Sequence, residues 1–226
     1  MRVLRGRGAD IDADRQTTAD MLSTVAETGE PAVRVWQPHR QMAFGRRDTN
    51  SDDYEAAAAA ARERGFPPIE RSVGGNAVAY TGRTVAFARA EPIDDVRTGL
   101  DDRYEAAIED VRRALSRLGV DAERGEPPGA FCPGQHSLSN RGKIAGIAQR
   151  IATDAAMVGG VVNVSDQEAI ADVLAPVYDA LGVAFRPGSI GSVARAGGNS
   201  DPEAVIDALE TALVGDHEYT VERVDT

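Results

Sequence analysis

The sequence predicts an α+β fold, a mixed and largely antiparallel sheet with flanking helices. Two observations lead there. Short apolar or alternating segments come in runs (32–36, 41–44, 69–71, 77–80 and 84–89, then 143–151 and 155–164) and do not alternate one by one with helices. Helical spacing is confined to separate stretches, clearest over 104–118. The connections are short, so the 226 residues are expected to form one domain, 1–226, with its core over about 15–215.

After an irregular start, Thr18 to Thr28 reads as a helix. Met21, Leu22 and Val25 share a face, and Gly29 with Pro31 stops it. Ala32 to Trp36 alternates like a half-buried strand, and Gln41 to Phe44 follows as a second. Gly45-Arg46-Arg47-Asp48 is expected as a polar turn where backbone can approach a ligand. Ser51 suits the N-cap of a helix from Asp52 to Arg64, whose alanine run has high propensity and whose acids come early and arginines late. Ile69 to Arg71, the Gly74-Gly75 corner, Ala77 to Tyr80, the Thr81-Gly82 turn and Thr84 to Arg89 together suggest a sheet meander. Asp101 or Asp102 opens a helix in which Tyr104, Ile108, Val111, Leu115 and Leu118 recur at helical spacing, closed by Gly119. A Pro/Gly-rich linker from Arg124 to Gly129 leads into a glycine-rich loop. Lys143 to Ile151 and Ala155 to Val164 read as two paired strands, followed by helices over 167–181 and 202–214 and a last strand from Glu218 to Val224.

Composition excludes several functions. With 36 acidic against 25 basic side chains the formal charge is −11. That opposes general nucleic-acid binding, which rests on cationic contacts to phosphates. No apolar run approaches the ~20 residues that span a bilayer, so no membrane role is expected. A single cysteine rules out an internal disulfide and agrees with a reducing cytoplasm. His39, His136 and His217 are scattered, so no metal site is indicated.

The most informative stretch is Gly129 to Arg150. It holds the only cysteine, Cys132, and eleven residues later the only lysine, Lys143; every other basic side chain is an arginine. Cysteine is the strongest neutral-pH nucleophile among side chains, and a nearby cation favours its reactive thiolate. A small buried cysteine with an incidental lysine is the structural alternative. His136 stands four residues after Cys132 as a candidate base, and Arg46 as a candidate contact for a phosphate or an acidic partner; either can equally be a surface residue. Arg71-Ser72-Val-Gly74-Gly75-Asn76-Ala77-Val78 places adjacent glycines between strands, where main-chain N–H groups can face an anion or a carbonyl. Neither a phosphate loop nor a dinucleotide fingerprint is present.

These residues together resemble the biotin/lipoate protein ligase and lipoyl/octanoyl transferase superfamily. Met42-Ala-Phe-Gly-Arg-Arg-Asp48 is similar to its first strand and Gly-Arg turn. Residues 71–78 resemble its Arg-x-Ser-Gly-Gly-x-Ala-Val ligand loop, and Gly142-Lys-Ile-Ala-Gly-Ile-Ala-Gln149 resembles its Lys-x-x-Gly-x-Ala-Gln segment. Order and spacing carry the resemblance, which spans about 15–165. It implies a fold of the class II synthetase/biotin ligase type, with the 71–80 and 129–150 segments adjacent. It also implies Lys143 as catalytic, and Arg71, Ser72, Gly74, Gly75, Asn76, Ala77, Gly146 and Ala148 as acyl-binding.

Phe131-Cys-Pro-Gly134 before the lysine motif resembles the amidotransferase branch, in which a cysteine thioester carries octanoyl or lipoyl groups from glycine-cleavage H protein to the lipoyl domains of 2-oxoacid dehydrogenases. That implies Cys132 as nucleophile, no required cofactor and a cytoplasmic location. Two alternatives stand beside it: an ATP- and Mg-dependent lipoate ligase working through an acyl-adenylate, and a non-catalytic acyl-binding domain. Little chain remains after the last helix for an accessory domain, which favours transfer. Ser137 departs from the pattern, standing near where both branches have an aspartate.

Overall fold

The computed structural model describes residues 1–71 and 75–224. In chain order the elements are β1 (Arg2–Arg5), α1 (Ile11–Thr28), β2 (Ala32–Trp36), β3 (Gln41–Phe44), α2 (Arg46–Thr49), α3 (Tyr54–Glu63), β4 (Pro68–Glu70), β5 (Val78–Tyr80), β6 (Thr84–Pro92), α4 (Leu100–Arg117), β7 (Glu123–Arg124), β8 (Ser137–Ser139), β9 (Lys143–Ile151), β10 (Ala155–Asn163), α5 (Gln167–Ala180), α6 (Val193–Ala196), α7 (Pro202–Val214) and β11 (Thr220–Arg223). Among the described residues the strands form two sheets, one of eight in the order β11-β1-β2-β6-β10-β9-β8-β7 and one of three in the order β4-β3-β5. The large sheet is antiparallel except where β1 joins β2 and β11. The α+β expectation, a largely antiparallel sheet with flanking helices, is met.

Strand alternation gives the large sheet two different faces. Val33, Val35, Val85, Phe87, Val158, Val162 and Ile147 point to one side and form the main core with Ile108, Val111 and Leu115 of α4 and Leu209 and Leu213 of α7. The opposite face carries small residues through its middle. In register across it lie Trp36, Ala86, Val161 and Gly146, and in the next row Arg34, Ala88, Gly159 and Ala148. Helix α1 covers one flank of this face by packing Met21, Leu22 and Val25 on Ala32, Ala88 and Ala90. The small sheet, backed by α3 and α5 through Phe44, Ala57, Ala61, Ile170 and Leu174, has its own core.

A register shift decides where Lys143 points. Leu138 pairs with Ala145 but Ser139 with Lys143, so β9 carries one extra residue, Ile144, against β8. A bulge of this kind reverses the facing of everything beyond it. Lys143 therefore shares the small-residue face with Gly146 and Ala148, while Ile144 and Ala145 enter the main core.

Several elements differ from the sequence reading. The start of the chain is strand β1, built on long-range pairing that four residues cannot announce. Helix α1 begins seven residues before Thr18, because Asp10 caps Ala13 N–H at 2.8 Å and the polar first turns bury Asp14 against Arg34. The 45–48 turn is a short helix, in which Asp48 Oδ2 accepts from Gly45 N. Helix α3 starts at Tyr54, later than Ser51 suggests. The meander does not form: β4 and β5 flank β3, parallel and antiparallel, while β6 crosses to the large sheet. Strands β7 and β8 and helix α6 are additions.

Gly160 tests the packing of the middle strands. A Cβ there would lie 2.5 Å from Gly146 O and 2.7 Å from the Phe87 ring. Gly160→Ala is expected to lower unfolding stability by about 1–3 kcal/mol, read as a shift in denaturant midpoint at constant slope.

Candidate active site

The small-residue face and the small sheet enclose a cavity of about 860 Å³. Glycine and alanine fill too little of the space between the sheets, and that space is the cavity. At one end stand Arg71, Cys132, Ser137, Lys143 and Gly146; at the other, three strands across the sheet, stands Trp36, stacked on the Arg34 guanidinium that pairs with Asp14. Three strand spacings of ~4.8 Å make that span roughly 14 Å.

Cys132 adopts φ 39°, in the sparsely populated left-handed region. Holding a non-glycine residue there costs about 1–3 kcal/mol, and the neighbours must supply it. Both sides of the residue are pinned. Its N–H donates to Tyr178 Oη at 2.6 Å, and its carbonyl accepts from Lys143 Nζ at 2.7 Å. Tyr178 Oη itself donates to Ala77 O at 3.0 Å, tying the cysteine loop to the strand after the glycine corner. Burial pushes the Tyr178 phenol well above its ordinary range, so it remains a neutral donor.

The cation touching the sulfur is Arg71, not Lys143. Arg71 Nη2 lies 3.3 Å from Cys132 Sγ and donates to Asn76 O at 2.7 Å. Burial opposes the Arg71 charge, yet Cys132 and Tyr80 beside it outweigh burial and raise its pKa. Gly75 completes the wall at φ 94°, where a Cβ would fall 2.7 Å from Sγ. Behind it Asn76 Nδ2 donates to Asp48 Oδ1 at 3.0 Å. Burial raises the Asp48 pKa, against the opposing effect of its bonds from Gly45 and Asn76.

Lys143 is 2% exposed. Its ammonium donates to Phe131 O at 3.1 Å and Cys132 O at 2.7 Å, and lies 3.2 Å from both oxygens of Glu126. Gly146 makes room for it, since a Cβ there would meet Lys143 Cε at 3.3 Å. Its main chain is fixed as well, with the Lys143 carbonyl accepting from Asn163 Nδ2 and Gly191 N. Ser137 Oγ donates to Glu126 Oε2, and Gly134 N reaches the same oxygen at 3.3 Å. The carboxylate lacking at position 137 thus stands beside Lys143 through Glu126, from the expected linker.

Arg71, Gly75, Gly146, Ala148 and His136 line the cavity with Cys132 and Lys143. Asn76 and Ala77 do not: they brace its wall through Asp48 and Tyr178. Arg46 is exposed on α2 and does not line the cavity. Ser72 and Gly74 lie outside the described residues. His136 stacks on Tyr104, ring centroids 3.6 Å apart, and burial lowers its pKa. Glu126, Tyr178 and Asn163 were not anticipated. The missing acid at 137 was the available signal for Glu126; the other two reach the site across tertiary contacts that leave no local pattern. Among the described residues no group of three or more His, Cys, Asp or Glu is placed to hold a metal ion, and no helix is long and apolar enough to cross a membrane.

The family description "Lipoyl protein ligase A/B catalytic domain" matches residues 16–214. The chain is 34% identical over 149 residues to an octanoyl-GcvH:protein N-octanoyltransferase of Bacillus velezensis, covering 63% of this chain and 51% of that protein. It is 36% identical over 124 residues to the protein of the same name from Anoxybacillus flavithermus, covering 54% and 44%. The chain thus spans about half the length of the curated relatives it matches. A crystal structure of lipoate-protein ligase A bound with ATP shares the fold, with a TM-score of 0.78 at 15% identity over 99% of this chain and 88% of that one.

Tyr178 tests how the cysteine loop is held. Tyr178→Phe strips a bond from Cys132 N and another from Ala77 O, leaving both groups buried. It is expected to cost about 1–3 kcal/mol of stability in denaturant unfolding, and to slow alkylation or speed it at Cys132, in either case away from the wild-type rate.

Proposed function

Since the chain belongs to the lipoyl protein ligase A/B catalytic-domain family, we propose that it is a cysteine-dependent acyltransferase moving octanoyl or lipoyl groups between the lysines of carrier proteins. The observation that carries this reading is Cys132 Sγ in an apolar-floored cavity, 3.3 Å from the half-buried Arg71 guanidinium. The donor is the glycine-cleavage H protein, the GcvH in the relatives' names. The acceptors are lipoyl domains of 2-oxoacid dehydrogenases. A reducing compartment such as the cytoplasm suits a reaction that needs a free thiol.

Transfer runs in two halves. The Cys132 sulfur attacks the acyl-lysine carbonyl; the C–S bond forms, the C–N bond breaks, and the proton given up by the thiol goes to the departing nitrogen, so that the donor lysine leaves as an amine. The acceptor amine then attacks the thioester carbonyl and loses a proton; the C–N bond forms and the C–S bond breaks, returning the sulfur. Arg71 balances negative charge on the sulfur before attack and on its release. The alkyl chain lies over Gly146, Val161 and Ala86 toward Trp36, where each buried methylene contributes ~0.8 kcal/mol. Lys143 holds the loop carbonyls that set the direction of Sγ. Residues 1–226 act together as one catalytic unit, and no nucleotide enters either half.

Mass measurement tests the thioester. After incubation with octanoylated or lipoylated H protein and no nucleotide, the wild type is expected to carry a hydroxylamine-labile acyl adduct that Cys132→Ser lacks. Full activity of Cys132→Ser that depends on ATP would replace the transferase with a ligase. Absence of acyl transfer under both conditions would leave only acyl binding.

Lysine is expected to be irreplaceable at 143. Lys143→Arg keeps the charge but presents a broader planar head beside Gly146. Transfer should fall roughly a hundredfold, since misplacing a reacting group by about 1 Å costs that much, with circular dichroism unchanged. Near-normal turnover would show that positive charge alone suffices.

A further inference from the structure

The Glu126 carboxylate is where three segments of the Cys132 end converge. Lys143 Nζ of β9 lies 3.2 Å from both of its oxygens. Ser137 Oγ of β8 donates to Oε2, and Gly134 N of the cysteine loop lies 3.3 Å from the same oxygen. Glu126 itself does not line the cavity, so any effect it has on an acyl group passes through what it touches.

The main chain holds Glu126 from both sides. Strand β7 pairs with β8, and just after it Gly125 N–H donates to Ser137 O at 3.0 Å. Pro127 and Pro128 follow Glu126 at once. A residue before proline is confined to extended backbone, so little freedom remains at 126. Arg124, two residues earlier, is engaged by Glu105 of α4. Lys143 is 2% exposed, and Glu126 is the only carboxylate paired with it among the described residues. Asp48, the other acid at this end, is bonded instead to Gly45 N and Asn76 Nδ2. A cation taken out of water needs its counterion, and removing one member of such a pair leaves the other uncompensated. An uncompensated ammonium turns toward water, and the Phe131 and Cys132 carbonyls that it holds are then released.

We propose that Glu126 is a positioning residue for acyl transfer, acting through Lys143 on the direction of Cys132 Sγ, and that a carboxylate at position 137 can take over that role. The proposal rests on the acyl-transfer reading of the site. Ser137 Oγ already touches the Glu126 oxygen that faces Lys143, so a carboxylate on the same stem reaches the same ammonium. With Glu126 still present, the two carboxylates would meet and repel.

Four proteins test this: wild type, Glu126→Gln, Ser137→Asp and the double variant. Transfer from octanoylated or lipoylated H protein without nucleotide gives kcat and KM. Alkylation of Cys132 by iodoacetamide reads the sulfur without any acyl chemistry. Glu126→Gln is expected to lower kcat roughly tenfold at unchanged KM, since the reacting group is displaced and the cavity is not, and to move the alkylation rate. Ser137→Asp alone is expected to lower kcat as well. Combined, the two are expected to return kcat to within about threefold of wild type, the non-additivity of groups that share a partner, and the alkylation rate with it. One substitution that harms the wild type and rescues Glu126→Gln reports a relocated charge; loss of a merely structural contact would lower both. Wild-type kcat and alkylation in Glu126→Gln would overturn the proposal, and so would a double variant no better than Glu126→Gln. Should Glu126→Gln not fold, the double variant decides: near wild-type kcat supports the proposal, and an inactive or unfolded protein overturns it. If the wild type transfers no acyl group, the transfer reading falls, and the pattern of alkylation rates still decides whether Glu126 places the sulfur.

Discussion

A sheet face of glycine and alanine cannot be packed shut, and the rest of this molecule is arranged around that constraint. Ala86, Ala88, Gly146, Ala148 and Gly159 occupy adjacent positions on three neighbouring strands. Their other faces carry Phe87, Val158 and Ile147 into a dense core, so the strands are rigid where the cavity needs a floor. Larger side chains at the floor would fill the space and gain burial energy; the structure forgoes that gain along this path. Helix α1 closes one flank of the path, and the small sheet forms the roof with a core of its own.

Two cations divide the work at the Cys132 end. Arg71 uses a single terminal nitrogen to join Cys132 Sγ and Asn76 O, so the sulfur and the strand after the glycine corner are held by one group. Lys143 never reaches for the sulfur; it holds the carbonyls of Phe131 and Cys132 from below. Together with Tyr178 at the Cys132 amide, these contacts support a backbone conformation that the residue would not adopt alone. Strain at a reactive residue persists only when its surroundings over-determine it, and three separate chain segments do so here.

How much of this was legible depended on the range of the interaction. Cys132 and Lys143 stood out because each is the only residue of its type, and the Gly74-Gly75 corner because adjacent glycines between strands mark a close approach. Strands β2, β3 and β9 were readable to the residue, since local alternation and turn residues define them. The partition of β4, β5 and β6 between two sheets was not, because which strand accepts which neighbour is decided by burial far along the chain. The facing of Lys143 was not readable either: it depends on a bulge against β8, a three-residue strand inside an apparent loop. Arg71 as the partner of the sulfur and Glu126 as the partner of the lysine are both consequences of that same tertiary placement.

The chain's near-total preference for arginine makes its one lysine an informative choice. Arginine spreads its donors over a flat fork, which suits Arg34, whose two terminal nitrogens reach Asp14, Thr18 and Gly6 across α1 and the strand ends. At position 143 the acceptors converge on one point instead. Two carbonyls and a carboxylate lie within 3.2 Å of a single nitrogen, three partners for the three hydrogens of an ammonium group. The neighbouring floor is tight as well, since a Cβ at Gly146 would stand only 3.3 Å from Lys143 Cε. An acidic, arginine-rich protein thus keeps a lysine where the geometry of a buried site demands a point charge with three hydrogens.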